Sequence, residues 1–253
     1  MPATEGPRAL VAGNWKMNGT TASLGELRLL ATMLQGVQLN CGVMVCPPAP
    51  LLMAVAKLIR SGTIQLGGQD CHPEPYGPYT GDISAEMLKD AGASAVIVGH
   101  SERRIGHGES SSLVRAKALA AHRAGLTAII CLGETQKERQ GGDTLQVLSA
   151  QLKESVPEKS ESRNTIIAYE PVWAIGTGVT PTAEEISAAH SHIRAELTQL
   201  LGGMAALTAI LYGGSVKPAN AGQLMAIDNV NGALVGGASL KAADFLGIIK
   251  AYS

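Results

Sequence analysis

The chain has 253 residues, 20 basic against 21 acidic side chains and a formal net charge of -1 at pH 7. Charges of both signs are interspersed, as in Lys137-Glu138-Arg139, which argues against a nucleic-acid partner or an anionic membrane surface. Apolar residues make up 45% and aromatic ones only 3%, with Phe245 the single phenylalanine, so a core must be filled by Val, Ile, Leu and Ala, as layered parallel sheets are.

Met1 to Arg8 is polar, and the apolar run Ala9 to Ala12 behind it is too short for a signal-peptide core. No apolar stretch reaches a membrane-spanning length, so a soluble, unexported protein is expected. From Ala9 to Ala12 onward short apolar runs recur: Gly42 to Cys46, Ile64 to Leu66, Ala95 to Val98, Thr127 to Cys131, Thr165 to Tyr169, Ala206 to Tyr212 and Ala233 to Val235. We read these as eight buried strands. Amphipathic segments of helical length lie between them, at Leu24 to Leu34, Leu51 to Ile59, Ser112 to His122, Thr144 to Leu152 and Glu184 to Leu200. Ser84 and Thr182 stand where helix caps belong, and Pro50 and Pro218 where a first helical turn tolerates proline.

The alternation of strand and helix continues without a linker, which predicts one α/β domain over residues 1–253. Such units could close as a barrel or lie open as a doubly wound sheet. The nucleotide signatures of the open forms are missing: Gly176-Thr177-Gly178-Val179-Thr180-Pro181 has proline where a GxGxxG fingerprint needs its last glycine, and no Gly-Lys dipeptide exists for a P-loop. A closed (β/α)8 barrel is therefore expected. Gln69 to Asp82, with three prolines and two glycines, is too long and stiff for an ordinary connection; Tyr76 and Tyr79 in it suggest packing against a partner subunit. Cys41, Cys46, Cys71 and Cys131 lack paired spacing and read as reduced thiols in a cytosol.

In such a barrel the residues after each strand converge on one face. Here they are Asn14 and Lys16 after the first strand, His100-Ser101-Glu102 after the fourth, and Glu170 after the sixth. Gly213-Gly214-Ser215 follows the seventh and Gly236-Gly237 the eighth. Taken singly, each has an ordinary structural explanation: a solvated lysine, a hydrogen-bonded histidine, a tight turn. Together they place two glycine turns able to bind a phosphate or sulfate beside a carboxylate, an imidazole and an ammonium. A carboxylate, an imidazole and a cation without a nucleophile arrangement suit proton abstraction beside a carbonyl, with Lys16, Asn14 and His100 stabilising the oxyanion. Glu170 opens Glu170-Pro171-Val172-Trp173-Ala174-Ile175-Gly176, a stiff start followed by small residues, as a general base under a lid would be written. A barrel aldolase with Lys16 as Schiff-base nucleophile is a competing reading, although Lys16 lies in a polar sequence; a phospholigand-binding protein without turnover is another. His190 and His192 cannot share a ligand face, and His72, His107 and His122 have no partners at metal spacing, so no metal and no cofactor is expected.

Gly13-Asn14-Trp15-Lys16-Met17-Asn18-Gly19, Gly99-His100-Ser101-Glu102-Arg103-Arg104, the Glu170 stretch and Tyr212-Gly213-Gly214-Ser215-Val216 together resemble the triosephosphate isomerase family, in order from about Arg8 to Tyr252. The resemblance implies a TIM barrel that interconverts dihydroxyacetone phosphate and D-glyceraldehyde 3-phosphate through an enediolate, a reaction of glycolysis and gluconeogenesis. By it, Glu170 would move the proton and His100, held neutral by the following helix, would donate to and accept from the two oxygens. Asn14 and Lys16 would polarise those oxygens, with Glu102 and Ser101 in support behind them. Gly176, Ser215, Gly236 and Gly237 would offer N–H groups to the phosphate. A lid from Pro171 to Val179 would close, and Ile175 and Leu234 would clamp the carboxylate and raise its basicity by desolvation. The segment carrying Tyr79, Thr80 and Asp82 would insert into a second copy, Thr80 supporting Asn14 and Lys16, which implies a homodimer. Val179 and Asp82 depart from the commonest family pattern, where Lys and Glu stand. Cys131, at the end of the fifth strand and near the site, is expected to have a buried packing role and not a redox one.

Overall fold

Strands rich in Val, Ile, Leu and Ala pair in parallel and in sequence order, and the last returns to the first to close a barrel. They are β1 Ala9–Asn14, β2 Cys41–Cys46, β3 Ile64–Gly68, β4 Ala95–Val98, β5 Thr127–Leu132, β6 Thr165–Tyr169, β7 Ile210–Tyr212 and β8 Gly232–Val235. The computed structural model describes residues 6–60, 62–176 and 180–252. Helices α1 Leu24–Met33, α2 Leu52–Ile59, α3 Ala85–Asp90, α4 Ser101–Gly106 and α5 Ser111–Arg123 flank the first half. In the second half lie α6 Gln136–Gly141, α7 Thr144–Ser155, α8 Ala183–Leu201, α9 Pro218–Met225 and α10 Ala242–Ile249.

The strand period of two sorts each strand into two faces. Leu10, Ala12, Met44, Cys46, Ile97, Ile129, Cys131, Ala168, Leu211 and Leu234 fill the barrel interior. Their neighbours, such as Val11, Val43, Val96, Ile130 and Ile167, pack outward under the helices. Continued by two residues, the same parity turns Asn14, Glu170, Gly213 and Gly236 inward at the C-terminal mouth. On β4 the parity would turn His100 outward. Gly99 corrects it with a φ of 67°, a left-handed step that favours glycine.

Ser84 and Thr182 cap α3 and α8 as expected, Thr182 in a reciprocal pair with Glu185. One expectation needs correction, and one helix was not anticipated. The run Ala206 to Tyr212 is a strand only from Ile210; Gly202–Leu207 is a 3-10 helix that continues α8. Arg194 of α8 donates to the carbonyls of Ala205 and Thr208, and the Thr208 hydroxyl donates to the Met204 carbonyl, so these groups are taken before a sheet partner is reached. Helix α10 reads as an almost unbroken apolar run, which hid its period; it is buried at Phe245, Ile248 and Ile249, and Glu26 of α1 accepts from its first N–H at 2.9 Å.

The Gln69 to Asp82 segment is ordered by His72, whose N–H donates to Ile83, and by Tyr79, whose ring lies 3.9 Å from that of His72. Tyr76 is 82% exposed, so among the described residues nothing covers it. Among the described residues no helix is long and apolar enough to cross a membrane.

Candidate active site

Glu170 follows β6 directly and is 1% exposed. Its Oε1 accepts from His100 Nε2 at 2.9 Å and from the Ser101 hydroxyl at 3.2 Å, and its Oε2 from the Ser101 N–H at 3.0 Å. Burial alone would push this carboxyl up, but the imidazole, the Ser101 N–H and the thiol of Cys131 outweigh it and hold the group below the usual glutamate range. The rise in basicity expected from Ile175 and Leu234 is thus absent in this arrangement, where Ile175 is only half-buried. His100 is the N-cap of α4, and its Nδ1 accepts the Glu102 N–H at 3.2 Å, which assigns the ring proton to Nε2.

Lys16 sits just past β1 with a φ of 53°, a strained position for a side-chain-bearing residue. Two polar side chains hold it there: Asn14 Oδ1 accepts its N–H at 3.0 Å, and the Gln69 amide donates to its carbonyl at 2.9 Å and to that of Cys46 at 2.8 Å. Its Nζ donates to Glu102 Oε1 at 2.6 Å.

A cavity of about 340 Å³ connects these groups to the other side of the mouth. It is lined by Asn14, Lys16, His100 and Glu170, by Ile175 and Leu234, and by Gly176, Gly213, Gly214, Ser215, Gly236 and Gly237. Gly236 precedes the 3-10 turn Gly237–Leu240, so the N-terminal end of that turn borders the cavity. Gly213 answers to the base as well as to a ligand, since a Cβ there would meet Glu170 Cγ at 2.8 Å. At the start of the expected lid, Pro171 is buried and Trp173 is fastened: its indole N–H donates to the fully buried Glu134 at 2.8 Å, and the Arg139 guanidinium lies 3.8 Å above its ring. The rear of the lid, Val179 included, lies outside the described residues.

Ten expected residues therefore meet in one cavity: Asn14, Lys16, His100, Glu170, Gly176, Ser215, Gly236, Gly237, Ile175 and Leu234. Ser101 and Glu102 stand behind them, while Tyr79, Thr80 and Asp82 are exposed on the 69–82 loop, away from this cavity. Sequence reasoning missed Gln69 and Glu134, and it placed Cys131 near the site without the contact of its thiol with Glu170. Inward parity, Ile129 then Cys131, was the available signal for the cysteine. Nothing in the sequence announced the amide of Gln69 or the carboxylate of Glu134. Among the described residues no group of three or more His, Cys, Asp or Glu could hold a metal.

A barrel whose mouth joins a buried acid–imidazole pair to paired glycine turns has the arrangement of enzymes that move protons on phosphorylated substrates. The sequence profile of triosephosphate isomerase matches residues 9–252. The chain is 60% identical over 250 residues to the triosephosphate isomerase of Mesorhizobium japonicum and 56% over 247 residues to that of Bradyrhizobium diazoefficiens, with 98% of each chain covered in both pairs. The crystal structure of triosephosphate isomerase from Bartonella henselae superposes with a TM-score of 0.91 at 50% identity, covering 97% of this chain and 99% of that one. The chain belongs to the triosephosphate isomerase family.

Proposed function

We propose that this chain interconverts dihydroxyacetone phosphate and D-glyceraldehyde 3-phosphate through an enediolate, with Glu170 as the base. One observation carries the assignment of roles: Glu170 and His100, 2.9 Å apart, form one wall of a cavity whose opposite wall carries four glycines together with Ser215, Val216, Lys217 and Ala238. A phosphate on Gly176, Ser215, Gly236 and Gly237 brings the substrate carbons to the acid–base wall. Glu170 takes a proton from one carbon and returns it to the next, while His100 Nε2–H donates to the developing oxyanion. Lys16 adds a positive charge, and Asn14, whose Oδ1 is used by the Lys16 N–H, offers its NH₂.

The resting geometry sets an order of events. His100 Nε2 cannot donate to Glu170 and to a substrate oxygen at once, so substrate binding releases the carboxylate from the imidazole. Released from His100, the carboxylate loses a contact that holds it low. Closure of Ile175 and Gly176 toward Leu234 then removes water, and desolvation raises its basicity where the reaction needs it.

The 69–82 loop supports a homodimer. A second cleft, of about 450 Å³, shares Asn14, Lys16 and His100 with the active-site cavity, and Met17 on its lip is 97% exposed. The exposed loop of a second copy, with Tyr79, Thr80 and Asp82, fits there and brings Thr80 toward Asn14 and Lys16. Sedimentation that finds a fully active monomer would overturn this. The four free, buried cysteines support a reducing, cytoplasmic setting.

The test of the reaction is steady-state conversion of D-glyceraldehyde 3-phosphate, coupled to a dehydrogenase, for the chain and for Glu170→Gln. Turnover that falls by about 10²–10⁴-fold in the variant is expected of a lost general base. A folded variant with undiminished turnover would remove Glu170 from that role.

A further inference from the structure

We propose that Arg104 is a positioning residue for the isomerisation: its guanidinium sets the spacing between the strand ends that carry His100 and Cys131, and so the place of the Glu170 carboxylate between them. The inference rests on Glu170 being the base.

Arg104 lies on α4, one turn beyond His100, and its planar fork makes four bonds to four separate segments. Nε donates to the Gly99 carbonyl at 2.9 Å and Nη1 to the Ser111 hydroxyl at 3.1 Å. Nη2 donates to the Cys131 carbonyl at 3.0 Å and to the Ser155 hydroxyl at 3.0 Å. Gly99 makes the left-handed step that turns His100 into the barrel, and Arg104 takes the carbonyl of that step. Cys131 carries the thiol that contacts Glu170, and Arg104 takes its carbonyl too. Ser111 of α5 and Ser155 of α7 fasten the fork from the outside, Ser155 being fully buried.

The crowding around this fork fits a positional role. A Cβ on Gly99 would stand 2.7 Å from Val114 and 3.1 Å from Arg104 Nη2, so the guanidinium and the glycine occupy matched space. Between Arg104 and Glu170 lies a small cavity of about 80 Å³, bordered also by Ser101, Gly133 and Gln151. The two charges thus face each other without touching, and the Arg104 guanidinium carries an electrostatic interaction with Glu170. The other ionisable groups facing Glu170 are His100 from the β4–α4 junction and Cys131 from β5, with Lys16, already engaged by Glu102, across the active-site cavity. Glu138 also borders the small cavity, but its carboxylate is bonded to Thr135. Lysine could keep the charge but not the four-way fork, so charge and position can be separated.

The experiment compares kcat, KM and the pH profile of kcat/KM for the wild-type chain, Arg104→Lys, Arg104→Met, Ser155→Ala and Glu170→Gln. Arg104→Met is expected to lower kcat by about a hundredfold at nearly constant KM, because an ångström-scale misplacement of the base costs that much and the phosphate cradle lies across the mouth. Its acid limb should move to higher pH, because the carboxylate has lost a stabilising charge. Arg104→Lys should lower kcat with the acid limb unmoved. Should Arg104→Met fail to fold, Ser155→Ala decides, with kcat expected to fall by about threefold at constant KM as one bond of the fork is lost. Wild-type kcat in folded variants, or kcat and KM changing together with the limb unmoved in Arg104→Met, would overturn the proposal and leave a purely structural arginine. Full turnover in Glu170→Gln would instead overturn the base on which the proposal rests, so the two failures are distinguishable.

Discussion

The two sides of the barrel mouth are built from different materials. The side from β4 to β6 is made of side chains held by several partners: Glu170 by His100, Ser101 and Cys131, and His100 by Glu170 and by the Glu102 N–H of α4. The side from β7 to β8 is mostly backbone and small residues, with Gly213, Gly214, Gly236 and Gly237 leaving room beside Ser215, Val216, Lys217, Leu234 and Ala238. The difference fits the role proposed for each. A base must sit in one place with one protonation state, which takes partners. A phosphate dianion needs several N–H groups at equal reach, which takes the absence of side chains. The first side should therefore fail through lost chemistry and the second through added bulk.

The largest expected effect comes from breaking the side-chain half at His100. In His100→Asn the cap of α4 survives, because asparagine also accepts at an N-cap, while the Nε2 donor is lost. We expect kcat to fall by about 10²–10⁴-fold with KM little changed. A KM increase of the same size, measured in the same coupled assay, would mean that His100 binds the substrate more than it reacts with it.

How much of this contrast was legible in the sequence follows from the same two materials. The strands, their order around the barrel and the residues just past their ends could be read because parity and strand length constrain them. The glycine turns could be placed at the mouth because each follows directly on an apolar strand. What could not be read depends on distances between segments far apart in the chain. Gln69 reaches Lys16 and Cys46 only because three strand ends meet, and Glu134 reaches Trp173 only because β5 and β6 are neighbours. The extent of β7 was misjudged because Arg194 competes for carbonyls that an apolar run seems to offer to a sheet.

Beneath the mouth one buried residue touches both halves. His190 of α8 stands edge-on to Tyr169, which precedes Glu170, and tilted against Tyr212, which precedes Gly213. It is fully buried, and burial pushes its imidazole down to about 4, against an ordinary value of 6.5. The unfolded chain therefore binds a proton below pH 6.5 that the folded chain refuses until about pH 4, so folding loses stability as pH falls through that window and no further from this residue below it. The depression corresponds to about 3 kcal/mol at the bottom of the window. Urea unfolding at pH 7 and at pH 4.5 checks it: His190→Gln should start less stable and lose less between the two. An equal loss in both proteins would place the acid sensitivity elsewhere.

The smallest expected effect is the sharpest test of the division, because it compares bulk added at one glycine with bulk added at another. At Gly213 an added Cβ would press on Glu170 Cγ at 2.8 Å and on the Tyr169 carbonyl at 3.1 Å. At Gly237 it would meet nothing within 4 Å, although the residue lines the same cavity. Gly213→Ala should thus displace the base and lower kcat by about tenfold with KM nearly unchanged. Gly237→Val, whose branched side chain fills space that the anion needs, should raise KM by about tenfold and leave kcat within about twofold. Both substitutions add apolar bulk on the same side of the mouth, so the division of effects between kcat and KM follows from what each side chain would meet. If both raised KM alone, Gly213 would belong wholly to the phosphate. If both lowered kcat alone, the cradle would be placing the reacting carbons as strictly as Glu170 is placed, and the mouth would act as one unit instead of two.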